Sequence, residues 1–62
     1  MINGKLLLTI DEAAEYLSIG RTQCYRLVMS GDLASVRIGR SRRVPAYALK
    51  DFVERLALDN QP

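Results

Sequence analysis

The feature that most constrains this chain is a three-residue break, Ser18-Ile19-Gly20, between two short stretches of helical periodicity. Before it, Ile10, Ala13, Ala14 and Leu17 recur at i, i+3, i+4 and i+7, the stripe of an amphipathic helix. After it, Cys24, Leu27 and Val28 repeat the i, i+3, i+4 spacing. The small side chains at 13 and 14 let a second helix approach closely. Two short helices joined by three or four residues with a glycine form a helix-turn-helix arrangement.

Local signals fix the ends of both helices. Thr9-Ile10-Asp11-Glu12 has the pattern of a capping box, in which the Thr9 hydroxyl accepts from the Glu12 N–H and the Glu12 carboxylate reaches back. Leu8 and Ala13 then fall at the positions of a hydrophobic staple, and Asp11 and Glu12 complement the positive helix start. The first helix is expected over residues 10–17, with Gly20 taking the left-handed conformation of the turn. The second is expected over residues 21–30 and closes on Gly31, with Asp32 opening a loop.

Beyond residue 34 the period changes. Val36 and Ile38 alternate with Ser35 and Arg37, Gly39-Arg40-Ser41 punctuates, and Arg42-Arg43-Val44 returns. This predicts a two-stranded hairpin over 35–44 with its tip near Arg40 and Ser41. Pro45 suits the first turn of a helix, and Leu49, Phe52, Val53 and Leu56 then recur at helical spacing. A third helix is expected over 46–57. The expected class is therefore α+β, mainly helical, in a single domain over 1–62 with residues 1–6 and 59–62 frayed. A chain of 62 residues buries only about 60 % of the surface its unfolded form exposes. Such a core has little room for a deep pocket, so no small-molecule substrate is expected.

Charge is distributed unevenly. Residues 21–43 hold Arg21, Arg26, Arg37, Arg40, Arg42 and Arg43 against Asp32 alone, a local balance of +5 within a net charge of +2. Residues 1–20 (Lys5 against Asp11, Glu12 and Glu15) sum to −2, and residues 44–62 (Lys50 and Arg55 against Asp51, Glu54 and Asp59) sum to −1. All six cations of the middle third are arginine, whose planar fork suits phosphates and guanine edges better than a lysine ammonium does. The outward face of the second helix would carry Arg21, Thr22, Gln23, Tyr25, Arg26 and, at its margin, Met29. Arginine forks onto guanine, glutamine onto adenine, threonine meets a thymine methyl, and Tyr25 reaches a phosphate. Arg37, Arg40, Arg42 and Arg43 crowd the hairpin, where like charges opposed across strands repel unless an anion lies between them. A generic solvated polar face is the competing interpretation of each cluster.

The same composition argues against other chemistries. The single cysteine, Cys24, excludes an internal disulfide, and with no histidine a zinc site is not expected. Cys24 lies on the inward face, where thiols are inert. Tyr16, Tyr25 and Tyr47 have no histidine or preorganised pocket to make one of them a nucleophile, and Tyr16 and Tyr47 are expected as half-buried caps on the core. No catalytic residue, metal or cofactor is expected. Residues 1–8 are too short an apolar stretch for a signal segment or membrane span, and a lone buried thiol suits a reducing, cytoplasmic setting.

On these motifs the chain resembles the excisionase family of small DNA-binding proteins. The likeness is carried by Leu7-Leu8-Thr9-Ile10-Asp11-Glu12-Ala13-Ala14, Arg21-Thr22-Gln23-Cys24-Tyr25-Arg26-Leu27 and Val36-Arg37-Ile38-Gly39-Arg40. Gly31-Asp32-Leu33 and the run to Pro45 extend it, so that it covers residues 6–57. The resemblance implies a winged helix-turn-helix related to the mercury-resistance regulators. It places Arg21, Thr22, Gln23, Tyr25 and Arg26 on a recognition helix and Arg37, Arg40 and Arg42 on a wing. Family members act beside a tyrosine-recombinase integrase on prophages and integrative elements. They bind repeated attachment-region sites cooperatively, bend the double-stranded DNA, and favour excision without catalysing it. The implied partners are that DNA, the integrase and further copies of the chain. A small transcriptional regulator, acting as a repressor through the same module, is the alternative role. Regulators of the mercury-resistance kind usually add a dimerisation helix and an effector domain, for which this length leaves no room. A third class is a protein-interaction adaptor with an incidental basic face.

Overall fold

A computed structural model describes residues 4–60. In chain order it contains β1 (Leu7–Leu8), α1 (Ile10–Leu17), α2 (Arg21–Ser30), β2 (Val36–Ile38), β3 (Ser41–Pro45) and α3 (Ala46–Asp59). The three strands form an antiparallel sheet in the order β1-β3-β2. This is an α+β, winged helix-turn-helix architecture, with the β2–β3 hairpin as the wing.

The start of α1 is built as its sequence dictates. The Glu12 N–H donates to Thr9 Oγ1 at 3.1 Å, and the Thr9 N–H donates to Glu12 Oε1 at 2.9 Å. The Lys5 ammonium also contacts Glu12 and, with the Thr9 N–H, holds its carboxyl below the ordinary range. Leu8 and Ala13, the staple pair, are both fully buried.

The turn between α1 and α2 differs from the expectation. Ser18, not Gly20, takes the left-handed conformation, at φ 59°. Its N–H and that of Ile19 fold back onto the carbonyls of Glu15 and Ala14 at 3.1 and 3.0 Å. Gly20 is extended, at φ −72°, because it serves as the N-cap of α2. The helix end therefore has to reverse two residues earlier. At the far end of α2, Gly31 does adopt a positive φ, 88°, and the Leu33 N–H returns to the Leu27 carbonyl at 3.0 Å. This return places Leu33 wholly inside the core.

Residues 7–8 form a strand that periodicity does not reveal, since two leucines are too few to show a period of two. Leu7 pairs with Pro45 and Leu8 with Val44. The Ala46 N–H donates to the Leu6 carbonyl at 2.9 Å, so the N-terminal segment also anchors the start of α3. The wing turns at Gly39-Arg40, one residue before the expected tip, with Ile38 opposite Ser41. Positive φ at Gly39 (60°) and not at Arg40 is the pattern of a type II′ hairpin, whose twist matches that of the strands.

The core gathers Leu8, Ala13, Ala14, Cys24, Val28, Leu33, Val44, Ala48, Leu49 and Phe52 from every element except β2. No side chain of β2 is buried. The helix α3 continues two residues past its expected end, to Asp59, and packs through Ala48, Leu49 and Phe52. Val53 and Leu56, expected inside, stand about half exposed: Val53 lies about a quarter turn off the buried row, and Leu56 continues that row one turn beyond Phe52, its last buried residue. Tyr47 is 68 % exposed and caps nothing, while Tyr16 at 42 % is half covered. The guanidinium of Arg55 donates to the Asp32 carbonyl at 2.9 Å, fastening α3 to the loop that follows α2. The expectations for residues 1–3 and 61–62 lie outside the described residues.

Candidate nucleic-acid interface

The orientation of α2 follows from its two buried residues, Cys24 and Val28. At 100° per residue, Thr22 and Arg26 point away from them, Met29 and Gln23 lie about 60° to either side of that direction, and Tyr25 stands farther round. All five are exposed, with Tyr25 at 48 % and Met29 at 56 %. By the same arithmetic Arg21, expected on the outward face, falls about 40° from the inward direction, on the side toward α1, where its Nε is 2.6 Å from Asp11 Oδ1. Its charge is thus partly engaged within the domain, whereas Arg26 stands clear. The first turn of α2 has no acidic residue, so its positive end is uncompensated within the helix. Burial also pushes the Cys24 thiol above its ordinary range, as expected of a packing residue.

The wing divides its arginines by strand register. Arg37 lies directly opposite Arg42, Val36 opposite Arg43, and Ile38 opposite Ser41. Opposed residues share a face and successive residues alternate. Arg37 and Arg42 therefore share one face of the hairpin, Val36, Ile38 and Arg43 share the other, and Arg40 occupies the turn. Arg42 donates to Ser35 Oγ at 2.9 Å, and Arg43 donates to the Arg42 carbonyl at 3.0 Å. These bonds orient the two guanidiniums without neutralising either. Among the described residues the ion pairs are Lys5–Glu12 and Arg21–Asp11, so no carboxylate engages Arg26, Arg37, Arg40, Arg42 or Arg43.

The structure thus gathers the sequence-derived residues into two groups, one along α2 and one along the wing. Met29 lies beside the outward row of Thr22 and Arg26, about one turn further along α2. Its apolar character kept it at the margin of the sequence-derived set, although its i, i+3 and i+7 spacing from Arg26 and Thr22 carried the signal. Ser35 also escaped notice, because a hydroxyl that orients an arginine seven residues away leaves no local pattern. Among the described residues no group of three acidic, cysteine or histidine side chains could hold a metal ion, and no helix is long and apolar enough to cross a membrane.

Fold and surface together define a helix-turn-helix protein with two arginine-bearing elements, and the comparisons agree with that class. Residues 7–57 match the family model described as a helix-turn-helix domain. The chain is 54 % identical over 52 residues to the "Probable excisionase" of Saccharopolyspora erythraea, an alignment covering 84 % of this chain and 53 % of that protein. It is 42 % identical over 48 residues to the "Excisionase" of Streptomyces ambofaciens, covering 77 % of each. No solved structure matches it. The chain belongs to the excisionase family of helix-turn-helix DNA-binding proteins. It spans about half the length of the Saccharopolyspora relative.

Proposed function

We propose that this chain is a non-catalytic architectural protein of the cytoplasm that binds attachment-region DNA and promotes integrase-mediated excision of a mobile element. In this reading α2 enters the major groove, with Thr22, Gln23 and Arg26 at base edges and Arg21 and Tyr25 at the flanking backbone. The wing lies along the adjacent backbone and minor groove through Arg37, Arg40, Arg42 and Arg43. The observation that carries the proposal is the direct opposition of Arg37 and Arg42 with no carboxylate beside either. Two like charges held across a strand pair cost stability, and a polyanion on that face turns the cost into attraction. The names of the two relatives support assigning that polyanion to excision rather than to another process on DNA.

Size shapes the rest of the mechanism. One such domain covers too little duplex to single out a locus among the ~10⁶–10⁹ competing sites of a genome. Several copies on adjacent sites, in contact with one another and with the integrase, supply the missing discrimination. The exposed apolar residues of α3, Val53, Leu56 and Leu58, lie on different sides of the helix and are available for such contacts. The test is a reconstituted excision reaction with a tyrosine-recombinase integrase and its attachment-region DNA. Purified chain should stimulate recombination in proportion to occupancy of the attachment region and cleave no strand by itself. Occupancy without any effect on recombination would refute the role in excision and favour a repressor.

A further inference from the structure

We propose that Ile38 is an apolar wedge that enters a base step of the minor groove and kinks the duplex, and that it favours sites with a flexible pyrimidine–purine step under the wing. The proposal rests on the DNA-binding reading above and adds a deforming and specificity-determining residue that carries no charge. Ile38 is the last residue of β2, immediately before the turn, and it is 59 % exposed. Its cross-strand partner is Ser41, too small and polar to cover it, and the next residue, Gly39, has no side chain. A large β-branched apolar group therefore projects at the wing tip.

The surroundings of Ile38 select the kind of partner. Arg40 occupies the adjoining turn, Arg43 shares its face of the hairpin, and Arg37 and Arg42 stand on the opposite face, so cations flank the tip on both sides. An apolar protein surface docking there would have to bury or displace those unpaired guanidiniums. A nucleic-acid duplex offers the complementary arrangement, a polyanionic rim around an apolar base stack. Architectural proteins that use the minor groove insert isoleucine, leucine or phenylalanine between base pairs, partly unstacking the step. The β-branch of isoleucine leaves few χ1 choices, so the side chain is already stiff before it inserts. Pyrimidine–purine steps unstack with least resistance, whereas A-tracts are stiff.

Fluorescence transfer between dyes on the two ends of a short duplex reads the kink, and anisotropy on the same samples reads affinity. Two probes suffice, one with central TA steps and one with a central A-tract. Wild-type chain should shorten the end-to-end distance of the TA duplex and bind it about tenfold more tightly than the A-tract. Ile38→Ala should bind the TA duplex within about threefold of wild type yet lose most of the shortening and most of the preference. Ile38→Leu should retain both. The site is exposed, and circular dichroism of each variant should match wild type. Equal shortening by wild type and Ile38→Ala would overturn the proposal, as would tight binding of the TA duplex by wild type with no shortening. Unchanged DNA geometry in Ile38→Ala together with lost association with the integrase would reassign Ile38 to a protein contact. Failure of wild type to bind either duplex would overturn the DNA-binding reading itself, a result distinct from all of these.

Discussion

Replacing Arg37 by threonine should stabilise the free domain while weakening its hold on DNA. Arg37 and Arg42 are directly paired across β2 and β3, and Arg42 is partly buried and fixed by Ser35, so it cannot swing far from its neighbour. Two unit charges about 6 Å apart repel by about 0.7 kcal/mol in bulk water, and salt near 0.1 M reduces this to about 0.3–0.5 kcal/mol. Threonine, β-branched and at home in an exposed strand, adds no new penalty. For a domain of this size a gain of that order raises Tm by about 2–4 °C. Arg37→Lys keeps the charge and should melt near wild type. The same Arg37→Thr variant gives up one phosphate contact, so the slope of log K against log salt should become shallower by about 0.9. Thermal melts at low and high salt, paired with binding titrations over the same salt range, measure both sides. The Tm gain should shrink as salt rises. An Arg37→Thr domain that melts lower than wild type at low salt, or that binds DNA with an unchanged salt slope, would refute the reasoning.

Two further predictions concern the scaffold. Ser18 holds a left-handed conformation that costs a residue with a Cβ about 1–2 kcal/mol, and among the described residues its hydroxyl makes no hydrogen bond, so Ser18→Gly should raise stability by about 0.5–1 kcal/mol in chemical denaturation. Glu12, whose carboxyl is held low by Lys5 and the Thr9 N–H, contributes stability that is present above its ordinary value of 4.5 and is lost as pH falls through the lowered one. The Tm advantage of wild type over Glu12→Gln near neutral pH should therefore vanish in acid.

How much of this was legible in the sequence depended on how local each signal was. The cap of α1, the bounds of α1 and α2 and the glycine at the end of α2 depend on residues within one turn of each other, and all could be read. The strand β1 and the burial of Leu33 depend on partners far along the chain, so nothing near residues 7–8 or 33 announces them. The error at Ser18 and Gly20 has the same origin. Glycine is the usual choice for a left-handed residue, but here the competing demand for an extended N-cap of α2 claimed Gly20. On α3 the 3.6 period named four apolar residues, whereas burial stops at Phe52: Leu56 continues that row one turn further along and Val53 lies about a quarter turn off it, so both remain half exposed. The arginines could be counted from the sequence, but their division between two faces of the wing required the register. For the candidate interface, composition identified the cations, and geometry supplied Ser35 and the engagement of Arg21 with Asp11.

The division of labour between the two arginine-bearing elements is tested most directly by comparing Arg26→Ala with Arg40→Ala in competition between attachment-region DNA and a random duplex. Arg26 stands in the outward row of α2, and its loss should cost about 1–3 kcal/mol on the attachment site while leaving random DNA far less affected, so the specificity ratio falls. Arg40 sits in the wing turn, and its loss should weaken both duplexes by similar factors, leaving the ratio unchanged. An Arg26→Ala chain that keeps the full wild-type specificity ratio would contradict the account.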